Sequence, residues 1–260
     1  MAGRRPVLAE WYAEHGRDEL PWRRTRDRWA VLVSEVMLHQ TQAPRVEGAY
    51  PAFLGEFPTP AAMAAATPGD VIRAWGRLGY PRRARRLWET ARRIAAEGWP
   101  ADLRTLPGVG RYTAAAVAVQ ADDADLPAVD VNVRRVVERV AGRRLTVREA
   151  EAEMARVGRP LQGRDRLLAL MDVGALVCRP ASPRCPACPL RRRCATRGPL
   201  PSEARPPPDP YEGSFRQRRG SVLARLRAGP TPAALLDAEA LASLRRDGLA
   251  VVDGATARLP

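Results

Sequence analysis

The chain contains 260 residues with a formal net charge of +14 at pH 7, and its 43 lysine-plus-arginine positions are all arginine. An ordinary hydrophobic fraction of 45% argues against disorder, and the length allows two or three modest domains. The charge indicates a polyanionic partner. No apolar run reaches about 18 residues and no apolar segment follows the N-terminal arginines. We therefore expect a cytoplasmic protein without a membrane span or a signal peptide.

Helices are predicted along most of the chain, and no convincing strand precedes residue 200. Apolar residues at helical spacing are the main signal, and capping residues at Thr67 and Thr146 mark the start of two further helices. The helix that begins after Thr67 is expected to end near Gly76. The spacing predicts helices over residues 6–16, 28–38, 46–57, 82–97, 133–141 and 164–176.

The stretch 106–114, with the sequence LPGVGRYTA, predicts a helical hairpin. Gly108 and Gly110 allow a left-handed backbone and the close approach of another backbone. The helix that begins at Arg111 would direct unpaired N–H groups and its dipole outward, which suits an anion such as a DNA phosphate. The alternative is a turn between two helices that binds no ligand.

All four cysteines fall in one short segment with the spacing C-x6-C-x2-C-x5-C. In a cytosolic protein this cluster favours a metal site over disulfides. The spacing alone supports zinc and an iron–sulfur cluster about equally. The four candidate ligands are Cys178, Cys185, Cys188 and Cys194.

The C-terminal segment has a different character from the rest of the chain. Helical patterns over 219–227 and 235–246 precede a hairpin around Asp253-Gly254, which predicts a small winged-helix-like module. A structural cap is an equal alternative, although arginines at 216, 218 and 219 would suit DNA. The predicted divisions are a main helical domain over 1–177, the cysteine loop over 178–198, a Pro-rich linker over 199–213 and the module over 214–260.

Several motifs occur in an order that resembles the helix-hairpin-helix DNA glycosylases, and within them the A/G-specific adenine glycosylases of the MutY type. These motifs are SEVMLHQTQ at 34–42, LGY at 78–80, the hairpin at 106–114, VDVNV at 129–133 and the cysteine loop. The resemblance implies an all-α, two-lobed fold with DNA between the lobes, followed by the winged-helix-like module. It also implies a [4Fe–4S] cluster on the four cysteines, and a short form that lacks the Nudix-like C-terminal domain.

The resemblance further implies a monomeric enzyme that removes adenine opposite 8-oxoguanine or guanine in double-stranded DNA. Cleavage of that bond needs an acid on the base side and a carboxylate on the sugar side. Glu35 lies mid-helix among apolar residues, a setting that keeps a carboxyl protonated, although an exposed helix glutamate would look similar. Asp130 precedes a helix and suits the sugar side, or is an ordinary cap. By resemblance, Tyr112 and Asn132 support that pocket.

The adenine must leave the base stack before it can react. By resemblance, Gln40 and Tyr80 hold the wedge positions that pry the duplex or fill the gap, and Gly108, Gly110 and Arg111 contact DNA. The chain departs from the usual family pattern at His39, Pro81 and Val131.

Two other functions are compatible with parts of the pattern. One is a thymine or uracil mismatch glycosylase, or a lyase of the endonuclease III type. The other is a non-catalytic iron–sulfur protein that binds DNA. The Ser34-Glu35 pair argues against the first, and the presence of both Glu35 and Asp130 argues against the second. Because the endonuclease III type has a lysine where this chain has Tyr112, we expect base release without strand cleavage.

Overall fold

The computed structural model describes residues 8–203 and 210–260 and confirms the predicted helix-rich architecture. The chain divides into two compact units. The first contains residues 1–31 and 110–206, and the second contains residues 32–109 and 207–260. No helix in the described ranges is long and apolar enough to cross a membrane. Residues 204–209 of the predicted linker and residues 6–7 of the first predicted helix lie outside the described residues.

The first unit is built from helices that enclose a core of mostly aliphatic side chains. Val133, Met154 and Leu170 lie fully inside this core, and each comes from a different helix. Burial of such side chains contributes roughly 1.5–3 kcal/mol each. The helices are α1 (Leu8–His15), the start of α2 (Arg28–Leu38), α7 (Arg111–Asp122), α8 (Val131–Ala141), α9 (Val147–Val157) and α10 (Gly163–Asp172).

A buried carboxylate ties the segment after α1 to the end of α10. Asp172 is fully buried and accepts hydrogen bonds from both terminal nitrogens of Arg23, at 2.5 and 2.7 Å, and from Arg17 Nε at 2.6 Å. Two guanidinium groups thus satisfy the carboxylate, which a buried charge requires. The loop between α1 and α2 is therefore fixed to the first unit.

The second unit begins within α2 and continues through α3 (Ala43–Glu56), α4 (Pro60–Ala65), α5 (Pro68–Trp75) and α6 (Arg82–Glu97). Thr67 starts α5 with a capping box, because its hydroxyl accepts from Asp70 N while the Asp70 carboxylate accepts from Thr67 N. The α5 and α6 helices each bury one apolar face, which includes Trp75 and Leu87.

The C-terminal module belongs to the second unit and consists of two helices and a small sheet. Its elements are α11 (Phe215–Ala228), β1 (Thr231–Pro232), α12 (Ala238–Arg246), β2 (Val251–Asp253) and β3 (Thr256–Arg258). The sheet is antiparallel with the order β1-β3-β2. Gly69 N donates to Pro260 O at 2.7 Å, and Arg85 Nη1 donates to Asp247 O at 3.1 Å. These bonds join the module to α5 and α6.

Several elements differ from their predicted bounds. The α3 helix begins at Ala43 rather than at residue 46, and α11 begins at Phe215 rather than at residue 219 because the Ser214 side chain caps it. The α8 helix begins at Val131 because the Asp130 side chain caps its first turn, and α12 begins at Ala238 because Asp237 does the same. The α10 helix ends at Asp172 and continues as a wider π turn over Val173–Val177. The predicted helices over 28–38 and 82–97 match α2 and α6 to the residue.

Candidate functional site

Glu35 is a buried carboxyl in the middle of α2. Its residue surface is only 3% exposed, and Val31, Leu32 and Val36 on the same helix are also buried. Residues 29–37 of α2 are all buried, so this glutamate is largely withdrawn from solvent. Glu35 belongs to the second compact unit.

Asp130 is the N-cap residue of α8 in the first unit. Its Oδ1 accepts a hydrogen bond from Val133 N at 2.7 Å, and its Oδ2 accepts one from Asn132 Nδ2 at 2.8 Å. Desolvation raises the pKa of the Asp130 carboxyl above its ordinary value, although these two donors oppose the rise. The site therefore orients a carboxylate while leaving it poorly hydrated.

A chain of hydrogen bonds continues from Asn132 to the cysteine segment. Asn132 Oδ1 accepts from Arg135 Nη2 at 2.9 Å, and the same nitrogen donates to Gly174 O at 2.6 Å. Arg135 Nε donates to Cys178 O at 2.6 Å. Arg135 thus links the Asn132 side chain to the π turn over residues 173–177.

The predicted hairpin has the expected turn at Gly108, where φ is +78°. Val109 N donates to Leu106 O at 3.1 Å, and Gly110 is the N-cap of α7. Arg111, at the start of α7, has an exposed side chain that pairs with Glu151 at 2.8 Å. This ion pair joins the start of α7 to α9.

Tyr112, Gln40 and Tyr80 have different surroundings. Tyr112 is partly buried against the core of the first unit. In the second unit, Gln40 and Tyr80 are exposed and both have a left-handed backbone, with φ values of 55° and 47°. Such backbone is uncommon outside glycine and occurs often at functional sites.

The four cysteines line one pocket next to α8. Their thiols are free and partly buried. Arg139, on α8, donates from Nη1 to Cys178 Sγ at 3.4 Å, and Arg197 N donates to Cys194 Sγ at 3.4 Å. Backbone bonds from Ala195 and Thr196 to α8 carbonyls hold the end of this segment in place.

Comparison with known proteins places the chain in a family. A profile described as the HhH-GPD superfamily of base excision DNA repair proteins matches residues 33–160. The adenine DNA glycosylase of Mycolicibacterium smegmatis is 45% identical over 239 residues, which cover 86% of this chain and 80% of that protein. The chain belongs to the HhH-GPD superfamily and, within it, to the adenine DNA glycosylases.

Solved structures give the same fold. A thermostable thymine-DNA glycosylase superposes with a TM-score of 0.64 and 29% identity, over 72% of this chain and 92% of that chain. A trapped endonuclease III–DNA covalent intermediate superposes with a TM-score of 0.62 and 25% identity, over 73% of this chain and 92% of that chain. The predicted helix-hairpin-helix glycosylase fold is therefore confirmed.

The cysteine segment gathers four thiols at one pocket, but among residues 8–203 and 210–260 no three His, Cys, Asp or Glu side chains are arranged to hold a metal ion. N–H donors already approach two of the sulfurs, as expected for sulfur that carries negative charge. Burial raises the pKa of Cys188 to about 12 and also raises the pKa of Cys178. A bound metal would overcome that penalty by stabilising the thiolates.

Sequence reasoning missed three arginines that organise these sites: Arg83, Arg135 and Arg139. The positions of Arg135 and Arg139, three and seven residues after Asn132, put them on the same face of α8. That spacing was the available signal. Two of the three arginines that suggested DNA binding by the C-terminal module form ion pairs within it. Arg218 pairs with Asp237, and Arg219 pairs with Asp247.

Proposed function

We propose that this adenine DNA glycosylase hydrolyses the N-glycosidic bond of adenine mispaired with 8-oxoguanine or guanine in double-stranded DNA, and that it does not cleave the strand. The burial of Glu35 is the observation on which the proposal chiefly rests. Adenine must depart as a neutral base, which requires a proton donor beside it. Loss of hydration disfavours the charged form of a carboxyl, so a buried glutamate is suited to donate that proton.

Asp130 would act on the sugar side of the same bond. As the base departs, positive charge develops on the sugar, and an oriented carboxylate can stabilise or capture it. The hydrogen bonds from Asn132 and Val133 hold the Asp130 carboxylate in one orientation. In the proposal, Asn132 and Tyr112 support this pocket.

DNA binding would use the hairpin and the two exposed wedge residues. Gly108 would provide the left-handed turn, Gly110 leaves its backbone open to a phosphate, and Arg111 adds a cation at the start of α7. Gln40 and Tyr80 would enter the duplex and keep adenine out of the stack. This wedge role suits the exposure of Gln40 and Tyr80, since neither side chain is part of a core.

We propose that Cys178, Cys185, Cys188 and Cys194 hold a [4Fe–4S] cluster. When bound, such a cluster cross-links its loop and can exchange an electron. Arg139 would donate to a cluster sulfur ligand, while Glu203 balances its charge through a bond of 2.9 Å to Arg139 Nε. We also propose that the protein acts as a monomer and in the cytoplasm, the second of which suits four cysteines that form no disulfide.

A base-release panel tests the proposed function. Duplexes would carry A, T, U or an oxidised pyrimidine opposite guanine or 8-oxoguanine, and single-turnover release would be measured for each. We expect release of adenine alone, whereas release of thymine would favour the activity named for the structural neighbour. Glu35→Gln should abolish adenine release and leave duplex binding largely intact, because the acid acts in the chemical step. Equal loss of binding and release would make Glu35 a structural residue.

A further inference from the structure

Gln40 and Tyr80 lie on separate turns of the second unit, and one side chain bonds to both turns. The Gln40 turn follows α2, and the Tyr80 turn precedes α6. Arg83, on the first turn of α6, directs its guanidinium at the two turns. This contact suggests that the two exposed residues are positioned together.

One nitrogen of Arg83 binds the end of α2. Arg83 Nη1 donates to the carbonyl oxygens of Val36 at 2.7 Å, Met37 at 2.9 Å and His39 at 2.5 Å. The last carbonyls of a helix lack partners within the helix and carry its negative dipole end. A guanidinium is therefore well suited to end α2 and to hold the backbone that immediately precedes Gln40.

The other terminal nitrogen of Arg83 binds the Tyr80 turn. Arg83 Nη2 donates to Gly79 O at 3.0 Å, to Leu78 O at 3.3 Å and to Thr41 Oγ1 at 2.9 Å. The Thr41 hydroxyl in turn donates to Leu78 O at 3.2 Å. The two turns are thus linked both through Arg83 and directly.

The ring of Tyr80 is also in contact with this guanidinium. The Arg83 guanidinium carbon lies 5.4 Å from the Tyr80 ring centroid and 5.1 Å from that of the buried Trp75. Both distances suit a cation–π contact. Tyr80 is 51% exposed, so it has little packing of its own to fix its orientation.

Arg83 has carbonyls and rings around it rather than a counterion. Within residues 8–203 and 210–260 it forms no ion pair. Burial lowers the pKa of Arg83 to about 10, which still leaves it charged at neutral pH. Other arginines on α6, such as Arg85 and Arg93, pair instead with a glutamate four residues ahead.

We propose that Arg83 is a positioning residue that fixes Gln40 and Tyr80 relative to each other, so that both side chains enter the duplex together and keep adenine extruded. This inference rests on the proposed function. A lysine could not replace Arg83, because a single ammonium group cannot bond to both sets of carbonyls as the two terminal nitrogens of a planar guanidinium do.

The test compares two substrates under single-turnover conditions. One duplex has adenine opposite 8-oxoguanine, and the other has adenine opposite an abasic-site analogue, where extrusion breaks no base pair. We expect Arg83→Lys to slow adenine release by about tenfold or more on the first duplex and by less than about threefold on the second. A merely structural defect would slow both equally, and that result would overturn the inference. So would an Arg83→Lys protein that matches the unmodified protein on both duplexes.

Two further variants complete the experiment. Arg92→Ala is the matched control, because Arg92 lies on the same helix but stacks 4.9 Å from the Trp88 ring. It should release adenine from both duplexes at the unmodified rate. If Arg83→Lys does not fold, Thr41→Val removes the hydroxyl that links the two turns and should give a smaller loss, again confined to the paired duplex. Adenine release by the unmodified protein tests the proposed function, whereas the ratio between duplexes tests the role of Arg83.

Discussion

The side-chain amide of Asn132 donates to the Asp130 carboxylate across 2.8 Å, two residues apart at the start of α8. Loss of hydration disfavours the charged form of Asp130, while this bond and the Val133 N–H favour it. The amide therefore favours the ionised form of the carboxylate as well as orienting it. Because Arg135 bonds to the same amide at 2.9 Å, the amide cannot rotate away without losing a second bond.

Asn132→Ala should move the acidic limb of the rate profile to higher pH. Desolvation already raises the pKa of Asp130, and removal of a donor to its charged form raises that pKa further. Since the proposed mechanism needs the carboxylate, the rate should fall at a higher pH than in the unmodified protein. Single-turnover rates measured across pH provide the test. Val131→Ala is the control, because this position is 72% exposed, and it should leave the acidic limb of the rate profile at the same pH.

Gly174→Ala should displace Asn132, because the added Cβ would crowd it from the π turn. A Cβ at this buried position would lie 2.7 Å from Asn132 Cβ and 3.0 Å from Asn132 O. Such overpacking costs about 1–3 kcal/mol of unfolding free energy, and we expect adenine release to slow as Asp130 loses its orientation. Gly55→Ala is the matched control, because nothing lies within 4 Å of its Cβ. A Gly174→Ala protein of unchanged stability and rate would contradict the tight packing of Asn132.

Gly248→Ala should loosen the C-terminal module from α6. The glycine has φ +64°, and an added Cβ would overlap the Arg85 guanidinium, so Arg85 must withdraw and lose its bond to Asp247 O. Gly254→Ala shares the left-handed backbone, with φ +57°, but has open space around it. Gly248→Ala should therefore cost more stability in chemical unfolding, by about 1 kcal/mol for the lost bond.

A double mutant separates the two costs of Gly248→Ala. In an Arg85→Ala background the Cβ no longer displaces a guanidinium, so the substitution should cost about as much as Gly254→Ala. Fully additive losses would show that Arg85 does not occupy the space at Gly248.

The sequence predicted the elements better than the contacts between them. The α2 and α6 helices have clear apolar periodicity, and their bounds were predicted to the residue. The β1 strand has only two residues, and one of them is a proline, so no alternation of apolar and polar residues could indicate it. Arg83 could not be singled out among 43 arginines, since its carbonyl partners in α2 lie up to 47 residues away. The left-handed backbone at Gln40 and Tyr80 was equally hidden, because neither residue type favours it.

Iron content and colour test the proposed cluster. Purified protein should contain about four irons per chain and absorb broadly in the visible range. Oxidative removal of the cluster should increase amide exchange over 173–198, because the four cysteines would lose their common ligand. Exchange in α5 and α6 should not change, since these helices belong to the other compact unit. A colourless protein with one zinc per chain would contradict the cluster.

Strand cleavage gives the sharpest test of the reaction type. A bifunctional glycosylase attacks the sugar with an amine and forms a Schiff base, whose elimination nicks the DNA. The chain has no lysine, arginine is a poor nucleophile, and Tyr112 cannot form an imine. The protein should therefore leave an intact abasic strand that breaks only after heat or alkali. Borohydride added during turnover should trap no protein–DNA complex above background.

Tyr112→Lys provides the matched positive test, because it supplies the missing amine at the position where lyases of the endonuclease III type carry theirs. Borohydride should then trap a covalent complex, which an Arg111→Lys control should not form, since that side chain is exposed and pairs with Glu151. Robust trapping by the unmodified protein would overturn the monofunctional assignment. Failure of Tyr112→Lys to trap would instead show that residue 112 does not reach the sugar, because the chemistry of a lysine amine is sufficient for the imine.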